Sequence, residues 1–140
     1  MSFLRRVFLG TGRLPDDARA RLTAEGLVHL AEELPGSVRY RGYRAPGTRR
    51  SGAVDATTGA LVITRQRLVV WLSAGEQKGK HIDVPLRGGR PEGIAVRAEG
   101  GRIILGYDPA RFHPDRSGHV EVHLRTPDAA RIAALLGGTP

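Results

Sequence analysis

Two apolar runs with a short polar break between them stand near the middle of the chain. They are residues 60–63 and 68–72, on either side of Thr64-Arg65-Gln66-Arg67. Successive side chains of a strand point to opposite faces, which gives the second run two apolar faces: Leu68, Val70 and Leu72 on one, Val69 and Trp71 on the other. Both faces must therefore be covered. The pattern predicts a central hairpin, with one face toward a barrel interior and its polar turn at the surface.

Three later segments alternate between apolar and polar residues, namely 82–86, 94–98 and 120–125. This period of two is typical of antiparallel strands with one buried and one solvated face. Gly100-Gly101 favours a two-residue hairpin turn, since glycine tolerates a positive φ. Earlier in the chain, Pro35-Gly36 indicates a turn between two further strands. The earlier predicted strands are 27–33, 37–43 and 52–64, the last as one long bent strand or as two shorter ones.

Two segments carry the signals of a helix. Pro15 and the two carboxylates that follow it suit a first helical turn, and they predict a short helix over about 15–25. Near the end of the chain, Thr126 is the expected N-cap and Pro127 the first residue of a helix over about 127–137. Its expected apolar stripe consists of Ile132, Leu135 and Leu136.

The order of these elements predicts one mainly β domain. A short helix, seven or eight antiparallel strands and a terminal helix together span residues 14–137. Residues 1–13 are expected to be a flexible or packing N-terminal arm, and residues 138–140 a tail. A length of 140 residues suits a single domain of this size.

Composition excludes several kinds of chemistry. The chain has no cysteine, which removes disulfides, thiolate nucleophiles and sulfur-based zinc sites. No apolar stretch approaches the roughly 18 residues of a membrane span, and the N-terminus lacks the features of a secretory signal. We therefore expect a cytoplasmic protein, with a peripheral location at the inner membrane surface as the alternative.

The net charge of +8 is concentrated in one part of the chain. Residues 37–67 hold seven arginines against a single acid, Asp55. Such a concentration of positive charge attracts anions over long range. All but two of the Lys and Arg residues of the chain are arginine, however, and a GC-rich genome would also produce this excess.

The central hairpin also resembles a known family. Gly59, Leu61, Thr64, Arg67 and Leu68 follow the pattern G-x-L-x-x-T-x-x-R-L of bacterial PH-like (GRAM-type) domains, and "IDVPL" at 82–86 is similar to the segment that follows it there. The segments 14–50 and 118–129 resemble a group of small uncharacterised bacterial proteins of the same type. The resemblance covers most of residues 14–136.

The resemblance implies a fold and a class of function. The fold would be a PH-like split β-barrel, a strongly bent antiparallel sheet with the C-terminal helix at one end. PH-like domains are binding modules that take phosphoinositides, peptides or proteins, so no catalytic activity is implied. Lipid-binding members hold phosphates with a Lys/Arg motif across the first hairpin. Here Arg39 and Arg41 lie near that hairpin, but the preceding strand offers only Glu32 and Glu33.

The arginine-rich stretch from 38 to 50 is the main candidate site. As a strand it would place Arg39, Arg41 and Tyr43 on one side, with the remaining arginines in a loop. Guanidinium groups suit phosphate, and a neighbouring tyrosine can stack on a base or lie at a headgroup interface. The competing interpretation is a solvated strand face in an Arg-rich protein. The candidate residues for anion or lipid binding are Arg39, Arg41, Tyr43, Arg44, Arg49 and Arg50.

Catalytic, metal and cofactor sites are not expected. His119 and His123 share a strand face but would stand roughly 13 Å apart, too far for one ion. His113 and Asp115 form no recognised zinc spacing with them, and His81 is expected to be an ordinary strand residue. No nucleophile elbow or phosphate-binding loop is present.

Three classes of function remain open, all without catalysis. A protein-interaction or self-association module is the leading prediction, through an exposed sheet edge. Peripheral binding to anionic lipid headgroups through the region from Arg39 to Arg50 is the alternative. Nucleic-acid binding is third, because the isoelectric point of about 11.1 suits it while few aromatic residues offer stacking platforms.

Overall fold

The computed structural model describes residues 12–139. Within this range the fold is mainly β, an antiparallel sheet that forms a nearly closed barrel, which confirms the predicted architecture of strands between two helices. The strands are β1 (Leu27–Ala45), β2 (Thr48–Arg50), β3 (Val54–Thr64), β4 (Arg67–Leu72), β5 (Gly79–Arg87), β6 (Arg90–Pro91), β7 (Ala95–Glu99), β8 (Arg102–Tyr107) and β9 (Ser117–Arg125). The helices are α1 (Asp16–Ala24) and α2 (Ala129–Leu135), with a 3₁₀ turn at Pro109–Arg111.

The sheet order is β6-β5-β4-β3-β1-β9-β8-β7, and β2 pairs with the end of β1. The long strand β1 is therefore the centre of the fold, because it joins the hairpins on its β3 side to those on its β9 side. Residues 27–39 pair with β3, whereas residues 36–44 pair with β9. The register of β1 shifts three times. One shift follows Leu27, one lies before Leu34, where Glu33 has a φ of 57°, and one follows Arg41.

The predicted turn at Pro35-Gly36 is wrong, because β1 continues through both residues without a break. Pro35 is paired with Thr58 of β3 and precedes the part of β1 that pairs with β9. Gly36 lies between β3 and β9, and a Cβ atom there would collide with the carbonyl oxygen of His123. The glycine is thus needed for the close approach of two strands rather than for a turn.

The central hairpin has the two buried faces that its pattern predicts. One face of β4 belongs to the main core inside the barrel, and the other to a second cluster beneath α1. The main core includes Leu61, Ile63, Leu68, Val70 and Leu72. The second cluster consists of Leu14, Leu22, Ala60, Val62 and Val69, with Trp71 packed against it. Helix α1, at 16–24 close to its predicted range, therefore covers the outer face of the hairpin.

The polar turn of this hairpin is only partly at the surface. Arg65 and Gln66 are exposed, but Thr64 is fully buried. The Thr64 hydroxyl donates to Glu25 over 2.7 Å and accepts from the backbone N–H groups of Gln66 and Arg67. Glu25 also pairs with Arg67 at 2.8 Å, which ties the end of α1 to the turn.

The C-terminal helix packs on the barrel core, but with a different face and start from those expected. Helix α2 begins at Ala129, and the Thr126 hydroxyl accepts a hydrogen bond from the backbone N–H of Asp128 instead of capping the helix. Ile132 and Leu136 are buried in the main core, together with Ala129 and Ala133. Leu135 is 38% exposed, so its place in the predicted stripe is wrong. The buried residues lie three or four positions apart on one face of the helix, and Leu135 lies off that face.

Residues at both ends of the described range are held by hydrogen bonds. The Gly12 carbonyl accepts from the Glu33 N–H, and Thr139 forms a parallel bridge with Arg97 of β7. Thr139 thus pairs with the edge of β7 rather than forming a free tail. Most of the predicted N-terminal arm, residues 1–11, lies outside the described residues. In the described range, no helix is long and apolar enough to cross a bilayer.

Candidate functional site

The predicted arginine site is divided by a bulge in β1. Arg39 and Arg41 are exposed, as predicted. Gly42 has a φ of 57° at the register shift, which inserts one residue and reverses the faces that follow. Tyr43 therefore points inward and is 2% exposed, with its ring 5.1 Å from that of Tyr40. The prediction that Tyr43 shares a face with Arg39 and Arg41 is wrong.

Arg44 and Arg49 lie on a hairpin rather than in a loop. β1 and β2 continue the sheet beyond Tyr43, and Arg44 is paired directly with Arg49 across the two strands. Both side chains are exposed. Like charges directly opposite each other in a sheet repel. The β1–β2 hairpin therefore presents a pair of positive charges to solvent.

Arg50, in contrast, is engaged within the protein. Its guanidinium donates to both carboxylate oxygens of Asp55, at 2.7 and 2.8 Å, and stacks over the Tyr40 ring at 4.5 Å. Asp55 also accepts from the Tyr40 hydroxyl and from the backbone N–H of Glu76. The hydrogen bond from Arg50 is the main cause of the lowered pKa of Asp55. Arg50 thus anchors the hairpin base, which leaves Arg39, Arg41, Arg44 and Arg49 as the exposed members of the predicted set.

A cleft opens at the end of the barrel where β8 ends and β5 begins. We call its inner part the chamber; its volume is about 220 Å³. Much of its wall is apolar or aromatic, formed by Tyr43, Val84, Ile94, Tyr107, Pro109 and Phe112. The Tyr107 and Phe112 rings meet edge to face, with centroids 5.6 Å apart. The chamber therefore offers a concave aromatic surface, the usual setting of a small-molecule site.

The outer part of the cleft, here the vestibule, is wider and more polar. It measures about 560 Å³ and lies between the β1–β2 hairpin, the loop before β5 and the loop that joins β8 to β9. Chamber and vestibule are adjacent, because they share the lining residues Tyr43, Gln77, Lys80, His81, His113 and Arg116. Glu76 and Asp115 also line the vestibule, so its charge is mixed.

Arg116 is the cation without an ion pair that lines both parts of this cleft, whereas Lys78, also without an ion pair among residues 12–139, lines only the vestibule. None of the ion pairs among residues 12–139 involves it. Its Nε atom is buried without a hydrogen-bond partner. Lys80, in contrast, is 3.4 Å from Asp83. A buried N–H group without a partner is costly, and a bound ligand is one way to satisfy it.

His81 lies next to Arg116 in the cleft wall and is held neutral. One ring nitrogen, Nε2, is 2.7 Å from the Tyr107 hydroxyl. Burial is the main cause that lowers the pKa of His81 from 6.5 to about 4, and the charges of Arg116 and His113 add to it. Burial likewise raises the pKa of Tyr107. At neutral pH the two side chains therefore form an uncharged hydrogen-bonded pair.

The lowered pKa of His81 predicts a loss of stability in mild acid. Between pH 6.5 and about 4 the unfolded chain binds a proton at His81 that the folded chain does not, so stability falls as pH falls. We expect this group to cost about 2 kcal/mol between about pH 7.5 and about pH 5. Urea unfolding of the wild type and of His81→Gln at both pH values measures it. An equal pH dependence in the two proteins would contradict the assignment.

Two other groups bear on the choice of pH. Burial lowers the pKa of His123 as well. His123 therefore contributes to the pH dependence of stability in the wild type and in His81→Gln alike. Burial works to raise the pKa of Glu121, but hydrogen bonds from His123, His119 and Arg97 outweigh it and lower that pKa to about 2. Glu121 takes up its proton only below its ordinary pKa of 4.5 in the unfolded chain, and near pH 2 in the folded chain, so it contributes little to a comparison near pH 5.

His119 and His123, weighed above as metal ligands, are both engaged with Glu121. Their Nε2 atoms are 3.4 and 3.0 Å from opposite oxygens of this carboxylate, and Arg97 is 3.3 Å from it. These four side chains form a hydrogen-bonded cluster on the outer face of β9. Among residues 12–139 no set of three or more His, Asp or Glu side chains is arranged to hold a metal ion.

Of the cleft residues, only Tyr43 belongs to the site predicted from the sequence. His113 and Asp115 were considered only as metal ligands, and His81 only as a strand residue. Tyr107 and Arg116 carry no motif. Their proximity depends on barrel closure, which brings the start of β5 and the end of β8 together around the same end. The one available signal was the aromatic and basic content of residues 107–116, which separates two predicted strands.

The sequence matches no protein-family model, and no curated protein is significantly similar to it. The resemblance to bacterial PH-like domains therefore stays a prediction.

Proposed function

We propose that this domain is a non-enzymatic binding module and that the open end of its barrel holds an anionic group of its ligand. The observation that carries the proposal is the unpaired Arg116 in the shared wall of chamber and vestibule. Guanidinium groups with unsatisfied N–H donors bind carboxylates and phosphates well. The resemblance to PH-like domains supports the same class of function.

The β1–β2 hairpin extends the positive surface beside the cleft. Ala45 and Thr48 line the vestibule, while Arg44 and Arg49 stand exposed on the same hairpin. Arg44 and Arg49 alternate with these two residues and so point to the other face of the hairpin. They form an outer part of the anionic surface, and Arg116 forms its inner part within the cleft. The anion can belong to a lipid headgroup or to a soluble molecule, and the two sources are separable by experiment.

Removing the hairpin charges should weaken membrane binding if the source is a lipid. Each basic residue near an anionic surface contributes about 1 kcal/mol, so Arg44→Gln with Arg49→Gln should weaken capture by about thirtyfold. The measurement is co-sedimentation with phosphatidylcholine vesicles, with and without phosphatidylserine, at two salt concentrations. The matched control is Arg125→Gln with Arg131→Gln. These two exposed arginines lie at the other end of the barrel.

A soluble source gives a different result. Neither vesicle would then bind, while inorganic phosphate or benzoate would shift the NMR signals of Arg116 and its neighbours, and Arg116→Gln would abolish those shifts. Equal loss of vesicle binding in the hairpin variant and its control would mean that only net charge matters. Failure of both vesicles and soluble anions to bind would overturn the proposed function.

Self-association is a second candidate, because one edge of β1 is open among the described residues. β9 begins to pair with β1 only at Gly36, and Glu33 is bonded to Gly12, so residues 27–31 have β3 on one side alone among the described residues. Leu27 and Val28 on this segment are 40% and 46% exposed. The edge of β7, in contrast, is covered by Thr139. Open edge strands pair readily with other strands.

Light scattering tests this second candidate. We expect a dimer mass for the wild type and a monomer mass for Val28→Lys, because a lysine on an edge opposes strand pairing. Val54→Lys is the control, since Val54 is 57% exposed but lies on β3 beside the other part of β1. A wild-type monomer at every concentration would exclude pairing through this edge.

A further inference from the structure

The chamber has room for one small ring. An engineered apolar cavity of about 150 Å³ in another protein holds benzene, and the chamber volume here is about 220 Å³. It therefore accommodates a six-membered ring with a small substituent, but no larger body unless that extends into the vestibule. The volume of the chamber therefore limits the enclosed part of a ligand to about one ring.

The wall of the chamber favours an aromatic ring. Three aromatic side chains contribute to it: Tyr43, Tyr107 and Phe112. Aromatic pairs prefer tilted or edge-to-face arrangements such as the one between Tyr107 and Phe112, and these exceed the stabilisation from buried area alone. Val84 and Ile94 complete the apolar part of the wall, where a polar group would lose its hydration without replacement contacts. The polar part of the wall, which includes His81, Asp83 and Arg116, is where a charged group of a ligand would lie.

The charges around the chamber favour a ligand with a single negative charge. Arg116 is the cation without an ion-pair partner in the shared wall, since Lys80 is 3.4 Å from Asp83. Glu76 and Asp115 line the vestibule and would repel a multiply charged phosphate group. A planar carboxylate matches the fork of a guanidinium group and needs only that one partner.

We propose that the chamber binds a compact aromatic carboxylate, with its ring packed against Phe112 and Tyr107 and its carboxylate on Arg116. The inference rests on the proposed function and narrows it, because it names the ligand as an aromatic monoanion rather than a phosphorylated headgroup. The neutral pair of His81 and Tyr107 lies in the same wall and adds no positive charge that would recruit a second anionic group.

Four small molecules distinguish this ligand class from its alternatives. Benzoate is the probe, benzamide its neutral analogue, cyclohexanecarboxylate its non-aromatic analogue, and inorganic phosphate the multiply charged anion. Titration of the full ¹⁵N-labelled chain, followed by NMR, gives each dissociation constant. We expect benzoate to bind at least about tenfold more tightly than benzamide and phosphate, and more tightly than cyclohexanecarboxylate.

Variants of the two contacts test the pose. Arg116→Gln should weaken benzoate by more than about tenfold, and Arg116→Lys should recover only part of the loss because it keeps the charge without the fork. Phe112→Ala should weaken benzoate while leaving phosphate unchanged. Phe112 is 38% exposed, so this variant is expected to fold; Ile94→Phe, which fills the chamber, gives a second test. Arg111→Gln, an exposed arginine of the same loop, is the control.

The outcomes separate this inference from the proposed function. Equal affinity for benzoate and phosphate, unchanged by Phe112→Ala and lost in Arg116→Gln, would overturn the aromatic ligand and retain an anionic site. Equal affinity for benzoate and benzamide would also overturn it, as would vesicle capture without benzoate binding. If neither vesicles nor any of the four molecules bind, both the inference and the proposed function fail.

Discussion

Replacing Gly36 with alanine should destabilise the protein by more than about 3 kcal/mol, among the largest effects of any single methyl group. The new Cβ would collide with the His123 carbonyl oxygen, and it would lie 2.9 Å from the carbonyl carbon and 3.1 Å from the Leu124 Cα. These are backbone atoms of β9, so no side-chain rotation relieves the contact. Gly36 is paired with β3 and β9 at once, which prevents β1 from shifting.

Urea unfolding measures the effect, with Gly47→Ala as the control. Gly47 is in the β1–β2 turn with a φ of 74°, and a Cβ there meets no atom within 4 Å. That substitution should cost only about 1 kcal/mol through its backbone conformation. Since a domain of this kind is stable by about 5–15 kcal/mol, Gly36→Ala should remove more than half of the stability at the low end of that range. Equal stability of the two variants would contradict the close approach at Gly36.

The same glycine explains why a part of the fold was mispredicted. A Pro-Gly pair is a frequent turn signal, and it indicates only local backbone preference. The requirement at Gly36 comes from β9, a strand far along the chain that no local pattern connects to it. Sequence patterns therefore located the strands on either side but divided one strand into two.

Alternation predicts faces correctly only where no bulge intervenes. In β4 the alternation is unbroken, and Leu68 and Val69 lie in different clusters as expected. In β1 the extra residue at Gly42 sends Tyr43 inward, although strict alternation places it outside with Arg41. A single inserted residue reverses every later side chain, and glycine content alone does not identify it as a bulge.

The candidate site was less predictable than the fold for a related reason. Charge density drew attention to residues 38–50, and Tyr43, Ala45 and Thr48 of this segment line the vestibule. The chamber itself combines short pieces of several strands and loops, of which Tyr107 and Arg116 are examples. No single one of these residues signals a site in the sequence. Only the tertiary arrangement brings them together around one cleft.

The second large effect is expected in α2, which covers the end of the barrel opposite the cleft. α2 follows the C-terminal end of β9, whereas the cleft lies near the N-terminal end of that strand. Ile132 is fully buried in the main core. Ile132→Ala should therefore cost about 3–4 kcal/mol, from lost burial and the cavity left behind.

Leu135→Ala is the matched control for Ile132→Ala, since it removes a similar side chain from the same helix. Leu135 is 38% exposed and lies off the buried face, so its loss should cost less than about 1 kcal/mol. Urea unfolding of both variants, followed by far-UV circular dichroism, gives the difference. Similar costs would mean that α2 does not seal the barrel through Ile132. A large difference would establish that α2 closes this end of the barrel through its buried face, on which Ile132 lies.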